Sequence, residues 1–140
     1  MIYFITGSNL KRRSLLTRAV DRAAPRLNIP KNTIIEIVVR KGKLEDNAYG
    51  YCEYEGKTRN NHQIRIELFG QIMDSELVST LFHELKHAEQ FTTGALSQDN
   101  TRYKGRDYSN SQAYLSLPWE ISARGFESRM LNRWMAEGGL

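Results

Sequence analysis

The chain of 140 residues predicts an α+β fold. It has an N-terminal helix, a small sheet of three strands or slightly more, and two longer helices. Three observations carry this reading. Apolar residues recur at helical spacing in three separate stretches, around Leu16, Leu81 and Phe126. Between the first and second stretches lie β-branched and alternating segments typical of strands. Gly and Pro fall at the joints between these patterns.

In chain order, Leu15, Leu16, Ala19, Val20 and Ala23 form the first apolar stripe, with Ser8 or Asn9 available as cap and Pro25 as stop. Ile34–Val39 is a β-branched run and reads as a buried strand. Ala48–Tyr54 reads as a second strand, and polar 55–61, with Gly56, as a turn. Ile64, Ile66 and Leu68 alternate with Arg65 and Glu67, which predicts a half-exposed strand at the sheet edge. Asp74 offers an N-cap, with Glu76 in the first turn to suit the helix dipole. That helix should run to about Thr93, with Gly94 as its stop. Residues 95–116 are polar and read as a long loop. Pro118 opens the last helix, where its missing N–H costs nothing, and Gly138 and Gly139 lie beyond its end. The expected sheet is antiparallel or mixed, within one domain spanning 1–140.

Composition narrows the function classes. Hydrophobic content is 40% and charged content 26%, ordinary for a globular chain. The net charge of +4 gathers partly in Lys11, Arg12, Arg13, Arg18, Arg22 and Arg26. Such a face is expected to be solvated, and no nucleic-acid motif accompanies it. Cys52 is alone, so no internal disulfide forms, which accords with a reducing compartment. Cys52 is expected to be a small buried filler. The apolar start, Met1–Ile5, is too short for a signal-peptide core, and no stretch approaches a membrane span. A soluble cytoplasmic protein is expected.

Residues 83–87 read His-Glu-Leu-Lys-His. On a helix, positions i and i+4 stand one above the other, so His83 and His87 can reach one ion. Glu84 lies on the neighbouring flank, close to the metal without being a ligand. Leu77, Val78, Leu81, Leu85 and Ala88 form a separate apolar arc on the same helix. The chain has three histidines, and two are in this motif. A catalytic zinc site takes about three protein ligands and keeps one position open. A third histidine six residues after His87 is absent, since Thr93 stands there. The remaining candidates are His62, Asp99, Asp107, Glu120 and Glu127. His62 sits in a polar turn and is expected to be exposed. Glu120 is the strongest candidate. Trp119, Ala123, Phe126, Met130 and Trp134 form the buried stripe of the last helix, and Glu120 falls at its border. A carboxylate there needs a partner, either a zinc ion or a cation such as Arg124.

His83-Glu84-Leu85-Lys86-His87 followed by Leu117-Pro118-Trp119-Glu120-Ile121-Ser122-Ala123 resembles the gluzincin branch of zinc peptidases, in particular the minigluzincins and compact phage-encoded metallopeptidases. The resemblance covers about residues 60–130. It implies a zincin-like fold, Zn2+ held by His83, His87 and Glu120, and hydrolysis of a peptide or protein substrate. In that reading Glu84 is the general base, and a further donor steadies the developing oxyanion. Tyr103, Tyr108 and Tyr114 are candidates, and Tyr114, just before the last helix, is the preferred one. Glu127, Asp99 and Asp107 can each serve as the outer partner that a ligand histidine needs. Close approach of the motif helix would explain Gly125 within the last helix; otherwise the residue is unimportant there. Two other functions compete: a non-catalytic or latent zinc domain acting in protein interaction, and a basic interaction module in which the motif is accidental. Glu84 separates the first from a peptidase, because a purely structural site has no use for that carboxylate.

Overall fold

The computed structural model describes residues 1–110 and 113–139. Of the loop expected over 95–116, residues 111–112 therefore lie outside the described part. Strand β1 (Ile2–Thr6) leads into helix α1 (Leu10–Ala23), strand β2 (Thr33–Arg40), strand β3 (Gly50–Thr58) and strand β4 (Asn61–Phe69). Helix α2 (Asp74–Thr92) follows, then a small hairpin of β5 (Arg102–Tyr103) and β6 (Arg106–Asp107), and finally helix α3 (Pro118–Ala136). The main sheet has four strands in the order β1-β2-β4-β3. Strands β1, β2 and β4 run parallel, and β3 pairs antiparallel with β4, so the sheet is mixed.

The elements form largely where the residue pattern places them. Asn9 caps α1, its Oδ1 accepting from the Arg12 N–H at 2.8 Å. Helix α2 begins one residue earlier than a cap at Asp74 would give. Met73 is the N-cap, and its N–H donates to the Glu76 carboxylate at 3.2 Å. All five residues of the α2 apolar arc and all five of the α3 stripe are buried. Burial of each large side chain is worth ~1.5–3 kcal/mol. Helix α2 lies at the centre of the molecule, packed against α1, α3, β3 and β4.

Three features differ from expectation. Ile2–Thr6 is a strand: Ile5 is buried while Ile2 and Phe4 stay exposed. Its partner β2 lies beyond α1, so the pairing has no local signature. Strand β3 continues to Thr58 through a bulge between Tyr54 and Lys57, leaving only Arg59 and Asn60 as the turn. Both have positive φ, 54° and 67°, as a two-residue hairpin requires. The strand at Ile64–Leu68 is interior, between β2 and β3, and β3 is the edge. The alternation of Ile64, Ile66 and Leu68 reports one solvated face, which is separate from whether the strand's hydrogen-bonding edge is free.

Gly125 has no packing duty. A Cβ there would meet only the Arg129 guanidinium at 3.2 Å, on its own helix. Gly125→Ala should therefore stabilise the fold by ~0.5–1 kcal/mol, readable as a rise in the denaturant midpoint at unchanged slope. No helix among the described residues is long and apolar enough to cross a membrane.

Candidate metal centre

The amphipathic pattern of α2 turns Leu81 and Leu85 into the core and carries His83, Glu84 and His87 towards α3 and β3. From the facing side, the first turn of α3 supplies Glu120, whose side chain is 5% exposed. His83 Nε2 lies 3.0 Å from one Glu120 oxygen, and His87 Nε2 lies 3.0 Å from the other. One donor atom from each of the three residues falls within 4.8 Å of the others, so the group could hold a metal ion.

The outer contacts fix which nitrogens face inward. His83 Nδ1 lies 2.9 Å from Glu127 Oε1, and His87 Nδ1 lies 2.7 Å from Gln90 Oε1. Both partners are acceptors, so each Nδ1 carries a hydrogen. The neutral rings then present Nε2 lone pairs to the lone pairs of Glu120. Acceptors facing one another at 3.0 Å in a buried site require a cation between them. Without a metal, protons serve. Burial would lower the His83 pKa, but the Glu120 and Glu127 carboxylates outweigh it and raise it to about 10. Burial likewise opposes protonation of His87, and Glu120 and Glu84 raise its pKa. Burial would raise the Glu120 pKa, yet the two histidines hold it well below the ordinary range. A divalent ion would meet the same demand with one particle. Two imidazoles and one carboxylate are a donor set that suits zinc.

No protein-family model, curated protein or solved structure matches the chain.

Glu84 is buried and makes no contact with the three donors that qualifies as a hydrogen bond among the described residues. Burial raises its pKa, and the two histidines pull it back. It lines a cleft of about 570 Å³ together with His87, Glu120, Tyr114 and the β3 residues Gly50, Tyr51 and Cys52. Glycine at position 50 lets α2 approach the strand. A Cβ there would lie 2.6 Å from Thr80 Cγ2 and 3.2 Å from Glu84 Cγ. Gly50→Ala should cost ~1–3 kcal/mol through overpacking, measured by denaturant unfolding.

The other predicted residues sort by position. Tyr114 is 62% exposed and stands at the cleft mouth. Desolvation of its hydroxyl and the nearby Glu120 charge raise its pKa. Glu127 is the outer partner of His83, and it also accepts from the Ser79 hydroxyl. Asp99 and Asp107 instead accept from the hairpin's own Thr101 and Ser109 backbone N–H groups, and neither joins the centre. His62 is buried rather than exposed, because the turn narrows to Arg59–Asn60, β4 already begins at Asn61, and the Tyr54 hydroxyl covers Nδ1 at 2.6 Å. Cys52 is half-buried rather than buried: it packs against the core on one side and lines the cleft on the other. Gln90 went unrecognised in the sequence, although it lies one turn beyond His87, within side-chain reach on the same helix.

Proposed function

We propose that the chain is a zinc-dependent peptidase of the HExxH, gluzincin-like class with a zincin-like fold. The observation that supports this best is the inward convergence of His83, His87 and Glu120 as mutually facing acceptors, beside an open cleft that also holds Glu84. A structural zinc site would use four protein ligands, whereas the group has three among the described residues. When bound, zinc supplies a Lewis acid that polarises the scissile carbonyl and makes a water acidic near neutral pH.

The chain's own residues supply the rest. Glu84 accepts the proton of the attacking water on a carboxylate oxygen and delivers it to the departing amine. Its burial raises the pKa, which makes the carboxylate a better base towards that water. Tyr114, which lines the cleft, would donate a hydrogen bond from its hydroxyl to the developing oxyanion. Glu127 holds the Nδ1 hydrogen of His83, leaving Nε2 for the ion. The substrate would lie extended along β3, whose free edge borders the cleft at Gly50–Cys52. Ile64–Leu68, paired on both sides, has no free edge to offer. The single thiol fits work in a reducing compartment.

Incubation of zinc-loaded chain with a diverse peptide library, read by mass spectrometry, tests the reading. Cleavage that chelator abolishes and added zinc restores is expected. A zinc-loaded chain that cleaves nothing would favour a non-catalytic zinc domain. Chelation should also loosen the fold, since one ion joins α2 to α3. At a free zinc concentration 100 times Kd, bound metal adds ~2.7 kcal/mol. Removing it should lower Tm by roughly 5–10 °C. An unchanged melt in a sample known to hold zinc would count against an ion bridging the two helices.

A further inference from the structure

We propose that Gln90 is a positioning residue that decides which nitrogen of His87 faces the metal and ties that choice to the placement of Glu120. The inference rests on the metal-centre reading above. Gln90 is 2% exposed. Its Nε2 donates to the Trp119 backbone carbonyl at 3.0 Å, and its Oε1 lies 2.7 Å from His87 Nδ1. A backbone carbonyl can only accept, so the end of Gln90 that faces Trp119 must be the NH2 group. The carbonyl end then faces His87 and can itself only accept. His87 Nδ1 must therefore carry the hydrogen, and Nε2 is left with its lone pair towards Glu120. A fixed backbone atom thus sets the polarity of the whole series, from Trp119 through Gln90 to His87.

The same amide works on the third ligand. Trp119 immediately precedes Glu120 in the first turn of α3. The Trp119 ring is buried between Tyr103 and Tyr108, at centroid distances of 5.9 and 5.7 Å. Gln90 therefore fixes the orientation of one ligand and the seat of another by a single side chain. The two histidines are held differently, His83 by the carboxylate of Glu127 and His87 by a neutral amide. A neutral partner suits the inner position, where Glu84 and Glu120 already bring two negative charges close to His87.

The test uses the full chain and three forms: parent, Gln90→Met and Gln90→Glu. Methionine approximates the length and shape but removes both hydrogen bonds, whereas glutamate keeps the acceptor towards His87. Zinc affinity is measured by competition with a chromophoric chelator, and the visible spectrum is recorded with Co2+ as the probe. Gln90→Met is expected to weaken zinc binding ~10–100-fold and to alter the cobalt bands, and Gln90→Glu to recover part of both. A purely structural role would lower the melting temperature of the metal-free chain while leaving affinity and spectrum at parent values, and that result would overturn the proposal. Equal weakening in Gln90→Glu and Gln90→Met would overturn it too. Long-range 1H–15N correlation on the zinc-loaded parent chain reads the His87 tautomer without any substitution. Hydrogen on Nδ1 is expected, and hydrogen on Nε2 would refute the assignment. A parent chain that takes up neither metal would overturn the metal-centre reading and this inference together.

Discussion

Glu84→Gln, loaded with zinc, is expected to hydrolyse peptides ~10²–10⁴-fold more slowly than the parent chain, the usual worth of general acid–base assistance. The substitution keeps the size of the side chain and one carbonyl oxygen, but an amide does not accept a proton at neutral pH. The fold should tolerate it, because Glu84 is buried without the hydrogen bonds that anchor its neighbours and its carboxylate is costly to desolvate. Zinc content should stay at the parent value, since His83, His87 and Glu120 are untouched. Steady-state rates on a peptide recovered from the library, paired with metal analysis of the same sample, give both readings. Parent-like rates in the variant would remove Glu84 from its role as base. Lost zinc would instead make it a ligand.

Glu120→Ala is expected to have the second large effect, on metal affinity. Among the described residues the side chain is the sole carboxylate that faces both Nε2 atoms, at 3.0 Å from each. Its removal takes away the one anionic donor and leaves two imidazoles to hold a divalent ion. The loss should exceed the ~10–100-fold that removal of an outer partner typically costs. Glu127→Ala, which removes the outer partner of His83, provides the internal comparison. Competition titrations should rank the affinities parent above Glu127→Ala above Glu120→Ala. The reverse order of the two variants would make Glu127 the ligand and Glu120 its support.

The centre was legible in the sequence where its geometry is local. The i, i+4 spacing of His83 and His87 is a property of any helix, and the apolar arc from Leu77 to Ala88 guarantees that helix. Glu120 was legible for a similar reason. A carboxylate beside Trp119 at the border of a buried stripe needs a partner, and α2 is the element that α3 packs against. The outer partner of His83 was less legible: Glu127, Asp99 and Asp107 are equivalent in the sequence, and only the 2.9 Å contact with His83 Nδ1 selects Glu127. Long-range pairing was less accessible. The order β1-β2-β4-β3 follows from a parallel crossover through α1 and from the hairpin at Arg59–Asn60. Neither the strand at Ile2–Thr6 nor the edge position of β3 leaves a periodic trace. The misplacement of His62 has the same origin: once β3 runs past Gly56, the turn narrows to Arg59–Asn60, β4 starts at Asn61, and His62 is buried in it. Gln90 was overlooked for another reason. A glutamine on a helix is ordinarily a solvated residue, and only the approach of the Trp119 carbonyl shows that this one is buried and committed at both ends.

The central claim is that one zinc ion sits between α2 and α3 on His83 Nε2, His87 Nε2 and Glu120. Anomalous scattering from crystals of the zinc-loaded chain, collected on both sides of the zinc absorption edge, addresses it most directly. A single difference peak is expected between those three groups, ~2.0–2.2 Å from each donor atom, with its remaining coordination position open to the cleft lined by Glu84 and Tyr114. A peak held by other residues, or none at this position in crystals shown to contain zinc, would contradict the assignment.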